Sequence, residues 1–219
     1  MKKNLFYCCF LLLPFLSLSQ INTSIDLVGS YDLINRETYK FGSFNYATNS
    51  RQNYRFGANF NFIIFDQGFI KTGIRYVKKI HNIALGRIFS SNYQEYIDEY
   101  YIAVPIVYRY EFSKRKFSFY TEGGVSPHFF LKGKFVQQIN GEITSTDYEI
   151  PYLKDTRVRM SLVFGVGANY MLSPKMQLFI QPTFRFYPRT GTQALPLLGT
   201  YNLGVEFGIR SVLSFAEEN

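Results

Sequence analysis

Two histidines, His81 and His128, are the side chains best suited to move a proton in this chain. Both are expected toward the outer ends of their strands, where Ser90, Ser91, Ser126, Glu95 and Asp98 are candidate neighbours. A histidine that takes a serine's proton, held in place by a third group, performs hydrolysis and acyl transfer. His128 with Ser126 is the first pair to consider, although serines are common here and spacing alone singles out no triad. The acidic stretch EYIDEY (95–100) lacks paired histidines at ligand spacing and reads as a solvated loop end rather than a metal site. The glycines of GVGANY (165–170) resemble a phosphate loop only superficially, and in a strand Gly165 and Gly167 read as small inward-facing positions. The sequence therefore nominates no catalytic, cofactor-binding or metal-binding residue.

The only thiols, Cys8 and Cys9, lie in the opening segment MKKNLFYCCFLLLPFLSLSQ. Two lysines, an apolar run from Leu5 to Leu16 and small residues at Ser17 and Ser19 have the order of a secretory signal peptide. The expected division is a cleaved leader at 1–19 and a mature chain at 20–219. The run is shorter than the ~20 residues of a spanning helix and contains Pro14. Export would remove both cysteines, and with them disulfides and thiolate chemistry. Loss of Lys2 and Lys3 lowers the formal charge from +8 to +6. The remaining bases are scattered, which argues against a nucleic-acid surface.

The elements that must position any site read as strands. Side chains alternate between apolar and polar over roughly 24–34, 53–65, 69–79, 98–112, 117–132, 156–172, 177–187 and 201–211. Three links are tight: DQG (66–68), SKRK (113–116) and SPKM (173–176). They alternate with longer polar links near 35–52, 80–97, 133–155 and 188–200, as in barrels with short periplasmic turns and long outer loops. No later segment reaches 18 apolar residues, so only a closed barrel could enter a bilayer.

Which face of these strands looks inward decides the class. The apolar parity gives 48 positions, none charged, of which 40 are Phe, Tyr, Ile, Leu, Val or Met. The other parity carries six acids (Asp26, Asp32, Glu99, Glu111, Glu122, Glu206) and seven bases (Arg55, Lys71, Arg75, Arg109, Arg159, Arg185, Arg210), interspersed with glycine and serine. Forty bulky side chains cannot fit inside eight strands, whose interior is just wide enough to be filled by side chains. The expected fold is therefore all-β, an eight-stranded antiparallel up-and-down transmembrane barrel, with its greasy face on lipid. The soluble alternative is a sandwich or a lipocalin-like barrel with a wider cavity. Near-balanced lumenal charge predicts ion pairs, for example Glu111 or Glu122 with Arg109, Arg159 or Arg185, that plug the bore. The 23 Phe and 18 Tyr, with no Trp, suit interfacial belts; Tyr54, Phe129, Tyr170 and Tyr201 read as anchors. Pro105, Pro127 and Pro182 fall inside strands and require bulges or locally open pairing.

YIAVPIVYRYEF (101–112) and FSFYTEGGVSPHFFLKG (117–133) resemble the PorT-like outer-membrane β-barrel family of Gram-negative bacteria. SLVFGVGANYMLSPKMQLFIQPTFRFYP (161–188) and YNLGVEFGIRSVLSF (201–215) are similar to its last hairpin and final strand. The resemblance implies an outer-membrane location and no assigned activity. A structural or adhesive role, or membership of an envelope or secretion complex, is expected through the outer loops, with outer-membrane lipids as surroundings and no cofactor. A lipid hydrolase or acyltransferase at the rim and a small-solute channel are the alternatives.

Overall fold

A computed structural model describes residues 23–41, 44–49, 53–82, 93–113, 115–139, 142–148, 158–188 and 200–213. The expected leader at 1–19, Ser90, Ser91 and the side chains of His81 and Glu95 lie outside the described residues. The strands are β1 (Thr23–Phe41), β2 (Phe44–Asn49), β3 (Asn53–Phe65), β4 (Gly68–Asn82), β5 (Tyr93–Ala103), β6 (Ile106–Glu111), β7 (Phe117–Ile139), β8 (Glu142–Tyr148), β9 (Val158–Ser173), β10 (Met176–Tyr187) and β11 (Thr200–Leu213).

All pairings are antiparallel, and β1 pairs with β11, closing the sheet on itself. β5 and β6 follow one another in a single register against both β4 and β7, so they form one barrel strand interrupted at Val104–Pro105. The barrel thus has eight strands. β2 and β8 lie outside it, each hairpinned onto the upper end of its predecessor.

The three tight turns fall at one end, as the turn chemistry requires. Asp66 and Gln67 form a two-residue link ahead of Gly68, and Pro174 supplies the fixed φ of a turn's first central position. Turns also brace neighbouring strands: Glu111 N–H donates to the Gln67 carbonyl at 2.8 Å and Met171 N–H to the Lys116 carbonyl at 2.8 Å.

At the opposite end the strands run farther than the alternation indicates. Stretches expected as parts of loops, 35–41, 44–49, 80–82, 93–97, 133–139 and 142–148, are strand. Period-two patterning arises where two faces meet different surroundings. Above a bilayer both faces of a hairpin meet water, so the pattern fades while strand pairing continues. From Glu142 to Asp147 every side chain of β8 is exposed.

Each proline is accommodated by open pairing. The ladder skips Val104 and Pro105, and Val104 N–H reaches the Pro127 carbonyl at 3.0 Å. Opposite Pro182 the β9–β10 ladder lapses between Ile180↔Ala168 and Thr183↔Gly165. A bulge opposite Tyr100/Tyr101, where Leu131 is passed over, shifts the facing of β7 above it.

The two faces separate as expected. Val166 is 61 % exposed, Ile180 56 % and Phe207 54 %, at mid-strand positions of the outer wall. Charged residues are buried on the inner wall. The apolar core proper is small among the described residues, with two clusters, one of Val28, Tyr120 and Phe179 and one of Val77, Tyr101 and Ala103.

Candidate functional site

The interior is the part of the molecule with the densest chemistry. Among the described residues it buries six acids and seven bases. Lys79 joins the set that the sequence indicated, Arg159 stays partly exposed, and Asp98, though buried, has the outward parity of Tyr100. Lys79 escaped notice because it lies at the top of β4, where the alternation had already faded.

The charges form three tiers, of which the upper two are linked through Arg185. In the lowest, Arg210 donates to Asp26 at 2.8 Å and to Glu111 at 2.7 Å, and Asn169 donates to the same Glu111 oxygen at 3.1 Å. Asp26 and Arg210 are register partners across the β1–β11 closure, so this pair ties the first barrel strand to the last.

The middle tier centres on two carboxylates. Glu122 accepts both Lys71 (2.6 and 2.8 Å), Arg109 (3.0 and 3.1 Å) and the Gln181 amide (2.6 Å). Glu206 accepts a two-pronged contact from Arg75 (2.7 and 2.9 Å) and one from Arg185 (3.0 Å), with Lys71 at 3.6 Å. The expected Glu122–Arg109 pair is present. Glu111 instead takes Arg210, and Arg185 bridges Glu206 and Asp32.

Asp32 leads to the outer tier, receiving Arg55, Arg185 at 3.1 Å and Asn202 at 3.0 Å. Partners here are separated in the chain by up to 170 residues, so parity could reveal that they face inward but not which would meet.

Glycine makes room for this filling. A side chain at Gly167 would meet the Tyr120 ring, and one at Gly165 the Gln181 amide. Tyr120 in turn stacks under the Arg109 guanidinium, 3.9 Å from its ring centre. A cavity bounded by Arg55, Arg75, Pro105, Glu122, His128 and Arg185 holds about one water molecule.

His128 corrects an expectation. Alternation alone puts it at the outer end of its strand near Ser126, but β7 continues to Ile139, which leaves His128 at mid-strand and inside the lumen. Its Nε2 lies 3.1 Å from Ser161 Oγ, and that hydroxyl donates to the Ser126 carbonyl at 3.2 Å. With its proton so used, Ser161 accepts from the ring, the reverse of the arrangement that activates a nucleophile. No carboxylate orients the other ring nitrogen: Nδ1 has no hydrogen-bond partner among the described residues. The ring packs between Tyr101 and Tyr187, beside Lys79, whose Nζ is 3.9 Å from the Tyr187 ring centre. Neither His128 nor Ser161 reaches the outer surface. Asp98 is also remote in role, pairing with Lys78 at 3.0 Å. Among the described residues no group of His, Cys, Asp and Glu is arranged to hold a metal.

The family described as outer membrane protein beta-barrel domain matches residues 29–188. A search of curated proteins finds no match. Among solved structures the chain is similar to Neisserial surface protein A, with 9 % identity over 87 % of this chain and 97 % of that one and a TM-score of 0.46. It is also similar to the outer membrane protein OprG from Pseudomonas aeruginosa (12 % identity, 88 % and 96 % covered, TM-score 0.45). A further likeness is to the outer membrane enzyme PagL (11 % identity, 86 % and 99 % covered, TM-score 0.45). Likenesses of this strength bear on no activity.

Proposed function

The chain belongs to the outer membrane protein beta-barrel domain family, and from that premise we propose a non-enzymatic envelope component that works through its outer hairpins. The barrel resides in the outer membrane as an anchor. The observation that carries the reading is the filled bore: among the described residues three tiers of paired charge cross it, and the cavity between them beside His128 holds about one water, which disfavours a diffusion channel. The second support is the pair of hairpins, β1–β2 and β7–β8, which continue the wall above the lipid and offer partners a raised surface. β8 pairs with β7 alone among the described residues, so its other edge offers backbone groups for strand addition by an envelope or surface partner. Within the family, the PorT-like pattern of 101–112 and 117–133 favours membership of an envelope or secretion complex over free-standing adhesion.

The test uses the whole chain extracted from envelopes in mild detergent. Partner proteins are expected to co-purify with it and to be lost when residues 135–146 are replaced by a short turn. Gel mobility before and after boiling should be the same in both proteins, showing that the barrel still folds. Stepwise ionic current in planar bilayers would overturn the reading in favour of a channel. A changed lipid profile in cells carrying His128→Ala would overturn it in favour of a lipid enzyme.

A further inference from the structure

The outer wall carries a row of side chains that neither the plug nor the hairpins use. Tyr54 pairs with Lys78 across β3–β4, Lys78 with Tyr100 across β4–β5, and Tyr100 with Lys132 across β5–β7. Register partners lie side by side on one face, so tyrosine and lysine alternate along a single line across four strands. The facing is outward: Lys78 has the parity of Ile70 and Ile74, both exposed on the apolar wall. Lys132 joins the row because of the bulge at Leu131. Without that extra residue, Lys132 would have the inward parity of Phe130, which packs against the buried Tyr101 cluster.

The two ammonium groups converge on one ring. Lys78 Nζ and Lys132 Nζ each lie 5.5 Å from the Tyr100 ring centre, and Lys78 is also 6.0 Å from that of Tyr54. Asp98 takes one contact from Lys78 at 3.0 Å, and the Tyr100 hydroxyl approaches the same carboxylate at 3.4 Å. Directly below, Phe56 and Tyr76 pack ring to ring at 5.1 Å, starting the apolar belt. Two cations above bulky apolar groups match an amphiphile with a negative head and hydrocarbon tails.

We propose that the Lys78–Tyr100–Lys132 row is a binding seat for the phosphate of an acylated glycolipid in the outer leaflet. The phosphate accepts from the two ammonium groups, and the acyl chains lie over Phe56, Tyr76 and the isoleucines beneath. The other rim offers a contrast: at the tight-turn end Lys116 lies 5.6 Å from the Tyr170 ring centre, one lysine on one ring among the described residues. This seat concerns lipid and is independent of the hairpin function proposed above.

The test is native mass spectrometry of the folded chain in detergent, titrated with diphosphorylated lipid A. Wild type is expected to retain the lipid. The double variant Lys78→Gln/Lys132→Gln should bind about tenfold more weakly, since each lysine near an anionic headgroup contributes several-fold. Lys116→Gln should bind as wild type. Unchanged gel mobility before boiling confirms that the double variant is folded, and Lys132→Gln alone should give an intermediate loss. Equal binding of dephosphorylated lipid A would overturn the proposal, because acyl contact alone would then suffice. Displacement of the lipid by an equal concentration of inorganic phosphate would also overturn it, assigning the seat to a free anion.

Discussion

Replacing Glu122 by glutamine is expected to destabilise the folded barrel by about 3–5 kcal/mol, the range for removing one partner from a buried ion pair. Glu122 lies between Lys71 and Arg109 and also accepts the Gln181 amide. The substitution leaves two buried cations facing a neutral amide, beside a cavity with room for about one water. It does so without changing side-chain volume, so cavity terms do not enter. Denaturant unfolding in lipid vesicles, followed by the shift in gel mobility, measures the loss. Adding Lys71→Met to Glu122→Gln should recover about 1–3 kcal/mol, as expected for groups in one network. Glu206 keeps Arg75 and Arg185 in that double variant. Equal stability of Glu122→Gln and wild type would mean that the plug is hydrated enough to dissipate the charge.

Ile180→Arg should cost about 2–4 kcal/mol, the range for a cation near the middle of the hydrocarbon on a barrel's outer face. Ile180 stands at mid-strand on β10, 56 % exposed, opposite Phe207 of β11. The same change at Ser145 of β8, exposed above the barrel, should cost close to nothing. Refolding into vesicles and comparing unfolding midpoints provides the measurement. A soluble barrel would reverse the order of interest: an arginine on its exposed outer wall would be harmless. The pair of variants therefore tests orientation itself, on which the lipid seat and the plug both depend.

Much of this was legible in the sequence because alternation is a local property. Each strand carries its own record of which side chains face lipid, and eight such records with three tight links fix a barrel of small bore. The three prolines could be foreseen as gaps in pairing for the same reason. Strand length at the outer end was hidden, since 133–139 and 142–148 meet water on both faces and carry no contrast to read.

His128 shows the consequence: misjudging where β7 ends turned a mid-barrel histidine into a rim residue. Lumenal partners were beyond reach for a different reason. Parity states that Arg210 and Asp26 both face inward, but only closure of β11 onto β1 brings them to 2.8 Å. The sequence by itself determined the class of fold, the direction of its faces and the near balance of its inner charge. Tertiary structure alone decided which charges pair, that His128 meets Ser161, and that Lys78 and Lys132 flank Tyr100, because register and bulges between distant strands set those meetings.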